Sequence, residues 1–461
     1  MPFPRDRLHL ILSMVFIGLM AVTYNNCSSG LSTLNSEPSV SSGTEPSTLT
    51  LTPTPTFTST PTPTMGAIPQ PLIGLHVVMG TGGAPGHIVN GSGQVVQLRG
   101  VNHTYTEDSC TTAGGGTFSD GHLNQADLTE MKTWNINVVR VPLNEDCWLG
   151  LNGVPMSSSA YQIAVTNYVH LITSNGMAVI LDLHWAAPGA TQSQQGIEQV
   201  TMADQDHALS FWNLVSTQFA SQGASDNSMN SMVLFDLFNE PNIGKGTSAD
   251  WTCWLSGGDN CPILNAANST MPNSSGTGPG VAVGMGTLLQ KIRSPPRAAQ
   301  NIVLLEGLGG AYDLTQWVQA VNSIPAQFGI PLSNIAASWH IYSDSASYNH
   351  YQYSCPNQWN QWQGTCPSAL QTAENSGIPA VLAAGFPVIV GESGINAENP
   401  ALAAWYTNLL SWLDAQGQNY LSWTWNTDAG PDLLTNYDYS HGVPSYTTLQ
   451  GKTFYDHLRS P

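Results

Sequence analysis

Eight apolar runs, each about the length of one β-strand, recur along this chain and constrain its fold more than any other feature. Each run ends in polar or aromatic residues, and an amphipathic stretch follows most of them. This alternation is typical of a parallel sheet whose strands are linked by helices. Eight such strands predict an α/β fold closed into a (β/α)8 TIM barrel. The predicted strands cover residues 95–102, 137–142, 178–185, 232–241, 301–307, 335–342, 387–394 and 420–426.

Helix and turn signals lie between these runs. Four helices are predicted, and two of them stop at Gly176 and Gly417. Residues 87–96 hold two β-prone runs around an Asn-Gly turn signal, so a β-hairpin is expected to precede the barrel and to close its floor. Residues 251–280 show little periodicity and are expected to form a long loop after the fourth strand. The four predicted helices cover residues 127–134, 160–174, 207–221 and 401–415.

The N-terminal part of the chain indicates export. Residues 1–27 combine two arginines with an apolar run that is too short to span a bilayer comfortably but is typical of a signal peptide. Cys27 follows this run, where the acylated cysteine of a lipoprotein would lie, although Asn26 stands where a small residue is usual. Residues 28–71 are rich in Ser, Thr and Pro and predict a disordered linker. We expect a folded domain over residues 72–461 that is secreted or tethered to the cell surface or outer membrane by a lipid on Cys27.

The cysteine count fits an oxidising compartment. Seven cysteines leave six besides Cys27, and an even number allows three disulfides. The sequence alone does not fix how they pair. Proximity along the chain, or between neighbouring loops, suggests the pairs Cys110 with Cys147, Cys253 with Cys261, and Cys355 with Cys366.

The charge balance excludes several classes of partner. Only 9% of the residues are charged, and 30 Asp and Glu against 11 Lys and Arg give a formal net charge of −19. Such a chain repels nucleic acid and offers anionic membranes no basic patch. A neutral or cationic partner is favoured. The 14 Trp and 15 Tyr include more flat rings than a core needs, and such rings can stack on the apolar faces of sugars.

Two glutamates follow apolar runs directly and are the main candidates for chemistry. Glu240 lies in Asn239-Glu240-Pro241 after the fourth run, and Glu392 lies in Gly391-Glu392-Ser393 near the end of the seventh. In an eight-stranded barrel these strands face each other across the mouth, so both side chains can flank one bond. Cleavage of a glycosidic bond needs such a pair, with one protonated carboxyl and one carboxylate.

The region from about residue 95 to residue 426 resembles glycoside hydrolase family 5, which is cellulase family A within the barrel-hydrolase clan A. The Asn-Glu-Pro signature carries the resemblance together with matches at the ends of other predicted strands. The resemblance implies a catalytic domain over residues 72–461. The matched positions are Arg140, His184, Asn239, Glu240, His340, Tyr342, Glu392 and Trp425.

The resemblance also implies a role for each catalytic group. Glu240 would be the general acid/base and Glu392 the nucleophile of a retaining, double-displacement mechanism. Arg140 would keep Glu392 ionised, and Tyr342 would orient it. Asn239 would hold the sugar 2-hydroxyl, and Arg140 and Tyr342 are also expected among the substrate-binding residues.

The remaining matches imply contacts with substrate. His184 and His340 would bond sugar hydroxyls or Glu240, and Trp425 would form the stacking floor beneath the sugar. His103, at the end of the first strand, is a further substrate-binding candidate. Ser393 departs from the family pattern, in which an aromatic residue is frequent after the nucleophile.

These observations predict a monomeric, cofactor-free and metal-free glycoside hydrolase acting on a polysaccharide or oligosaccharide, and the family resemblance favours an endo-β-1,4-glucanase. The sequence leaves open a β-mannanase, another β-glucanase or an exo-β-glycosidase on the same barrel, as well as transglycosylation. A non-catalytic glycan-binding protein is the alternative from another class.

Overall fold

The computed structural model describes residues 71–460, except 113, 117, 119–121, 190–198, 245, 266, 344–375, 396–397 and 429. The predicted signal peptide, Cys27 and the predicted linker up to residue 70 lie outside the described residues. The strands are β1 His76–Val78, β2 His87–Val89, β3 Arg99–Asn102, β4 Val138–Asn144, β5 Ala178–Trp185, β6 Val233–Asp236, β7 Gly257–Pro262, β8 Val281–Val283, β9 Val303–Glu306, β10 Ile335–Tyr342, β11 Val388–Gly394 and β12 Asn419–Ser422. The helices are α1 Gln125–Thr133, α2 Glu145–Leu149, α3 Ser158–Ser174, α4 Ala208–Gln218, α5 Ser248–Ser256, α6 Met285–Arg293, α7 Trp317–Asn322, α8 Ile324–Phe328, α9 Ile378–Ala383, α10 Pro400–Ala415 and α11 Leu449–Arg459.

Eight of these strands form one closed parallel barrel in the order β3-β4-β5-β6-β9-β10-β11-β12, and β12 pairs with β3 to close it. They correspond to the eight apolar runs, so the predicted (β/α)8 barrel is confirmed. The four predicted helices form as α1, α3, α4 and α10.

Some strands are shorter than their apolar runs. The fourth run was predicted to reach residue 241, but β6 ends at Asp236, and the eighth, predicted to reach residue 426, ends as β12 at Ser422. Leu237 and Phe238 remain fully buried after β6 has ended. Apolar patterning reports burial, and buried chain can leave a sheet while it stays in the core. The segments that leave the sheet early carry the residues of the candidate site.

The lower half of the barrel interior is apolar. Inward-facing residues near the starts of the strands, such as Val138, Ala178 and Leu304, belong to one buried cluster. Ile88 and Leu75, from the segment before the barrel, pack into the same cluster and close its floor. The hydrophobic floor excludes water from the bottom of the barrel and leaves the polar chemistry to the upper layers.

The N-terminal hairpin forms around the predicted Asn-Gly turn. Val89 and Val95 form an antiparallel bridge, and the Val96 amide donates to the Ile88 carbonyl at 2.8 Å. A strand that the sequence analysis did not single out, β1, pairs antiparallel with the other edge of β2.

The segment predicted as a long loop, residues 251–280, is only partly irregular. It begins inside helix α5, whose N-terminus is capped reciprocally by Thr247 and Asp250. β7 follows and pairs antiparallel with β8. Trp251 and Trp254 are buried against the barrel and anchor the helix. The sequence did not predict these elements, because the segment is rich in Gly, Asn and Ser and because short helices and strands held by tertiary contacts show little hydrophobic periodicity.

Two of the suggested disulfides form. Cys110 bonds to Cys147, and Cys253 bonds to Cys261, which joins α5 to β7. The suggested pair of Cys355 and Cys366 lies outside the described residues. Among the helices of the described part of the chain, none is long and apolar enough to cross a bilayer.

Candidate active site

The alternation of strand residues places a layer of charged side chains directly above the apolar floor. Residues two apart on a strand face the same side, so Arg140 lies two positions above Val138, and Glu306 lies two positions above Leu304. Asp182 and Asp236 occupy equivalent places on β5 and β6, and their register pairs them directly. All four are fully buried. The barrel therefore holds ionisable groups at the end where its strands point, which is where barrel enzymes carry their chemistry.

Glu240 and Glu392 meet in this upper layer. Glu392 is carried by β11, whereas Glu240 follows β6 by four residues and has a left-handed backbone conformation, with φ of +51°. One carboxylate oxygen of each glutamate and one ring nitrogen of His340 all lie within 4.8 Å of one another. The Glu240 side chain is 15% exposed and that of Glu392 is 6% exposed. The structure thus brings the two predicted glutamates to one point that solvent can reach.

Glu392 is held as a carboxylate. Arg140 Nη1 donates to Glu392 Oε1 at 2.7 Å, and the Tyr342 hydroxyl donates to Oε2 at 2.6 Å. Burial alone would raise the pKa of Glu392. The positive charges of His340, Arg140 and His184 and the Tyr342 hydrogen bond outweigh burial and lower it.

The pKa of Glu240 is shifted in the opposite direction. Burial and the nearby negative charge of Glu392 raise its pKa, although His340 opposes them with a hydrogen bond from Nδ1 to Glu240 Oε1 at 3.1 Å. The pKa of His340 is itself raised well above its ordinary value. Burial would lower it, but the carboxylates of Glu306 and Glu392 prevail. A protonated His340 therefore lies between the two glutamates, and the two carboxyl groups favour different protonation states.

Arg140 is the hub of the buried layer. It is fully buried, so it cannot touch a substrate in the cleft, and its inclusion among the substrate-binding residues is corrected on that ground. The sequence analysis also expected Arg140 to keep Glu392 ionised, and the hydrogen bond from Arg140 Nη1 to Glu392 Oε1 agrees with that expectation. It also bonds Asn239 Oδ1 at 2.9 Å. Its other acidic and amide partners are Asn102, Asp182, Asp236 and Glu306, at 3.0 to 3.1 Å.

His184 and Asn239 form one wall of the site. His184 Nδ1 lies 2.6 Å from Asp182 Oδ2, and its Nε2 lies 3.5 Å from Asn239 Nδ2. Burial would lower the pKa of His184, but the carboxylates of Asp182 and Glu107 raise it. The contact with Asp182 places a ring proton on Nδ1, and Nε2 faces the Asn239 amide.

Two predicted substrate contacts are wrong. Trp425 is fully buried and packs edge-on against Trp134 at 4.8 Å, so no sugar can lie on it. His103 is also fully buried, and its Nδ1 is 2.7 Å from the hydroxyl of Tyr168, behind the cleft wall. Both predictions assumed that residues at strand ends face the cleft. The local backbone conformation decides whether such a side chain faces the cleft or the helices. The side chains of Trp425 and His103 both face the helices.

The tryptophan that the sequence analysis missed is Trp423. Its side chain is partly exposed, and its ring stacks on His184 with a centroid distance of 5.7 Å and an interplanar angle of 16°. Trp423 and Trp425 lie two positions apart and were equally available in the sequence. The strand ends at Ser422, so the alternation of inward and outward side chains along a strand could not predict which of the two tryptophans faces the cleft.

Glu306 is a second residue of the site to which the sequence analysis assigned no role. Its Oε2 accepts the Glu240 backbone N–H at 2.6 Å, and its Oε1 lies 3.2 Å from His340 Nε2. Burial raises the pKa of Glu306, but the charges of His340 and Arg140 outweigh burial and lower it to about 2. Its position at the end of an apolar strand was the available signal.

Gln199 was not considered from the sequence. Its Nε2 donates to the Asn239 carbonyl at 2.6 Å and lies 3.3 Å from the Glu240 carbonyl. The Asn239 side-chain amide donates back to Gln199 Oε1 at 3.0 Å. No sequence motif marks this glutamine, because its contacts depend on how a distant loop folds.

Among the residues that the structure describes, two groups of acidic and histidine side chains, besides the catalytic pair, lie close enough together to be considered as metal sites. Asp182, Asp236 and Glu306 converge, but each contacts the guanidinium of Arg140, which supplies the cation. The second group is Glu145, Asp204 and His207. There His207 Nδ1 is 2.9 Å from the Ala187 carbonyl, a contact that requires the nitrogen to carry a proton. Neither donor set fits a cation, and the absence of a metal requirement stays a prediction.

A closed (β/α)8 barrel with two opposed glutamates at the carboxyl ends of its strands is the arrangement of barrel glycoside hydrolases. The sequence matches the family described as Cellulase (glycosyl hydrolase family 5) over residues 89–429. The chain belongs to glycoside hydrolase family 5, as the sequence resemblance indicated. Among curated proteins, a sequence search finds no match.

Solved structures share the fold at low sequence identity. A β-glucanase from Saccharophagus degradans in complex with cellotetraose is 16% identical, with a TM-score of 0.52 over 83% of this chain and 92% of that one. An endocellulase from Pyrococcus horikoshii in complex with cellotetraose is 16% identical, with a TM-score of 0.53 over 85% and 99%. An endo-β-1,4-glucanase from Xanthomonas axonopodis pv. citri is 17% identical, with a TM-score of 0.51 over 79% and 99%.

Proposed function

We propose that this glycoside hydrolase is an endo-β-1,4-glucanase that acts with retention of anomeric configuration. The observation that carries the proposal is the pair formed by Glu240 and Glu392. Their nearest carboxylate oxygens lie within 4.8 Å, and their surroundings shift their pKa values in opposite directions. Retaining enzymes place their carboxyl groups about 5 to 5.5 Å apart, whereas inverting enzymes leave room for a water between them.

In the first step of the proposed reaction, the Glu392 carboxylate attacks the anomeric carbon. The bond from that carbon to the leaving oxygen breaks, and Glu240 transfers its proton to this oxygen. The product is a glycosyl ester of Glu392 and a shortened glycan. Arg140 and Tyr342 hold the attacking carboxylate in place, and Asn239 and His184 are placed to bond the hydroxyls of the sugar.

In the second step, the Glu240 carboxylate takes a proton from water while the water oxygen attacks the same carbon. The ester bond to Glu392 breaks, and the second inversion restores the original configuration. The pKa of Glu240 falls once Glu392 is esterified, because the negative charge that raised it is gone. This change suits a group that must act first as an acid and then as a base.

The substrate class is proposed from the site and its relatives. The neighbouring structures named above were solved as glucanases, two of them with cellotetraose bound. In this chain Trp423 offers a partly exposed ring beside His184, on which a β-linked glucose unit can stack. The net charge of −19 favours a neutral polymer over an acidic one.

The location of the enzyme belongs to the same proposal. We propose that it is a monomer and is exported, either secreted or tethered to the cell surface or outer membrane through a lipid on Cys27, with residues 28–71 as the spacer. The disulfides at Cys110–Cys147 and Cys253–Cys261 support an oxidising compartment.

The test is reducing-end release from carboxymethylcellulose, mixed-linkage glucan, mannan and xyloglucan by the purified protein and its Glu392→Gln variant. We expect release from the glucans, with a fall of about three orders of magnitude or more in the variant. The matched control is Glu398→Gln, the same change at an exposed glutamate. Product analysis by proton NMR at early times should show the β-anomer first.

Each alternative has its own outcome in this test. Release from mannan alone would replace the glucanase assignment, and early α-anomer would overturn retention. Polymer binding without release by the wild type would make the protein a glycan-binding one.

A further inference from the structure

Glu240 is held from two sides through its backbone. Its φ of +51° lies in the left-handed region, which residues other than glycine rarely adopt without support. On one side, its N–H donates to the buried carboxylate of Glu306 at 2.6 Å. On the other side, the side chain of Gln199 reaches the carbonyls of Asn239 and Glu240. The conformation that aims the Glu240 carboxyl therefore depends on side chains from elsewhere in the fold.

We propose that Gln199 is a positioning residue that aims the general acid/base Glu240. This inference rests on the proposed function and deepens it. The Gln199 amide binds Asn239 reciprocally, with its Nε2 on the Asn239 carbonyl at 2.6 Å and its Oε1 on the Asn239 side-chain amide at 3.0 Å. These two bonds fix both the backbone that leads into Glu240 and the side chain that precedes it.

The reciprocal bonds also settle which way the Asn239 amide points. Asn239 Oδ1 accepts from Arg140 Nη2 at 2.9 Å, so Nδ2 must face Gln199 and the cleft. One Nδ2 proton goes to Gln199, and His184 Nε2 lies 3.5 Å from the same nitrogen. After loss of Gln199, Asn239 Oδ1 would still accept from Arg140 Nη2, so the Asn239 side chain keeps an anchor, whereas the backbone that leads into Glu240 loses the bonds from Gln199 Nε2.

Gln199 has a firm base for this role. The next residue, Val200, forms an antiparallel bridge with Asn265, and the Thr201 amide donates to the Leu264 carbonyl at 2.9 Å. The Asn242 amide, two residues after Glu240, donates to the Thr201 carbonyl at 2.9 Å. The segment after Gln199 is thus bonded both to the loop between β7 and β8 and to the segment that carries the catalytic glutamate. A side chain on such a base can hold a partner within the narrow limits that proton transfer requires.

The experiment separates positioning of the acid from general loss of structure by varying the leaving group. A cello-oligosaccharide leaves as a poorly acidic alcohol and needs a proton from Glu240, whereas 2,4-dinitrophenolate leaves without one. In Gln199→Ala we expect kcat/KM to fall about tenfold to a hundredfold on cello-oligosaccharides. On 2,4-dinitrophenyl β-cellobioside we expect kcat/KM to change about threefold or less, because this constant reports the first step alone.

Two further variants exclude a merely structural role. Gln199→Glu keeps the shape of the side chain but turns an oxygen toward the Asn239 and Glu240 carbonyls, so we expect it to be at least as impaired as Gln199→Ala on cello-oligosaccharides. Gln205→Ala, an exposed glutamine on the same loop, should match the wild type on both substrates. Thermal unfolding of each variant shows that the protein measured is folded.

The outcomes distinguish this inference from the function on which it rests. Glu240→Gln should show the leaving-group dependence most strongly. If Glu240→Gln shows it and Gln199→Ala does not, or if Gln199→Ala loses both substrates equally, the positioning role is wrong and the proposed function stands. If Glu240→Gln itself treats both substrates alike, the assignment of the acid fails, and the inference fails with it.

Discussion

Glu240 and Glu392 are chemically the same residue, and only their neighbours give them different roles. Glu392 receives bonds from Arg140 and Tyr342, whereas Glu240 receives a hydrogen bond from His340 and faces a negative charge. Two like carboxylates this close do not ionise equally. Their surroundings therefore raise the pKa of Glu240 and lower that of Glu392.

Removal of the Tyr342 hydroxyl tests how Glu392 is kept ionised. A hydrogen bond to a charged group is worth about 1.5 to 3 kcal/mol, so Tyr342→Phe should lower kcat/KM about tenfold to a hundredfold. The bond lowers the pKa of Glu392, so its loss raises that pKa. The acidic limb of the kcat/KM profile should move to higher pH, as measured on an aryl cellobioside from pH 3 to 8. A limb that stays in place would mean that Tyr342 does not tune Glu392.

The two neighbouring tryptophans should respond differently to truncation. Trp423→Ala removes a partly exposed stacking surface, so kcat/KM on cello-oligosaccharides should fall about tenfold or more while the melting temperature changes little. Trp425→Ala empties a fully buried site and should destabilise the fold by about 3 to 5 kcal/mol. Kinetics and urea unfolding of both variants check this. Equal loss of stability in both would contradict the assignment of Trp423 to the cleft.

At the scale of elements, the hairpin before the barrel acts as a plug. Ile88 on β2 is fully buried in the cluster that also contains the lower inward residues of the barrel strands. The plug supports the barrel and is separated from the chemistry by the buried charged layer.

Truncation in the plug should therefore affect stability and leave catalysis unchanged. Ile88→Ala should cost about 2 to 5 kcal/mol of unfolding free energy, because the rigid strand ends around it cannot close the cavity. The kcat of the folded fraction should remain that of the wild type. Urea unfolding and kinetics at a temperature well below the transition provide the measurement. A large loss of kcat in fully folded protein would show that floor and site are coupled.

At the scale of the whole molecule, buried ionisable groups make stability depend on pH in two directions. The folded pKa of Glu306 is about 2, so its contribution is present above its unfolded pKa of about 4.3 and is lost as pH falls. Burial raises the pKa of Glu145 and Asp236, so their contributions are present below their unfolded pKa and are lost as pH rises. The pKa values of His184 and His340 are also raised, so the stability that these residues contribute is likewise lost as pH rises above about 6.5.

We therefore expect the free energy of unfolding to be greatest at mildly acidic pH and to fall steadily toward pH 9. Urea unfolding at a series of pH values measures it. Glu145→Gln is the diagnostic variant, because Glu145 contacts the Asp204 carboxylate, and an amide can donate there at every pH. Its Oε2 position would still accept the Ala187 amide. The variant should lose less unfolding free energy than the wild type between pH 5 and 9. An equal loss in both proteins would contradict a proton shared between the carboxyl groups of Glu145 and Asp204.

The sequence by itself determined the barrel, because eight apolar runs of strand length must be buried and parallel strands linked by helices close into this shape. It also determined the positions of Glu240 and Glu392. Charged residues at the ends of buried strands are expensive unless they have a use, so they stand out in a chain with 9% charged residues. The resemblance to family 5 added His340 and Tyr342, which lie at the end of a predicted strand and therefore at the same rim.

Only the tertiary structure decided which side chains turn into the cleft and which hold the others. Trp423 faces His184 in the cleft and Trp425 faces Trp134 in the core. Both follow the end of β12, where the backbone is irregular and no sequence periodicity predicts the direction of a side chain. Glu306 and Gln199 gain their importance from contacts with Glu240 across 66 and 41 positions of sequence. Hydrogen bonds between distant residues depend on how loops pack on the barrel, and this packing leaves no pattern along the chain.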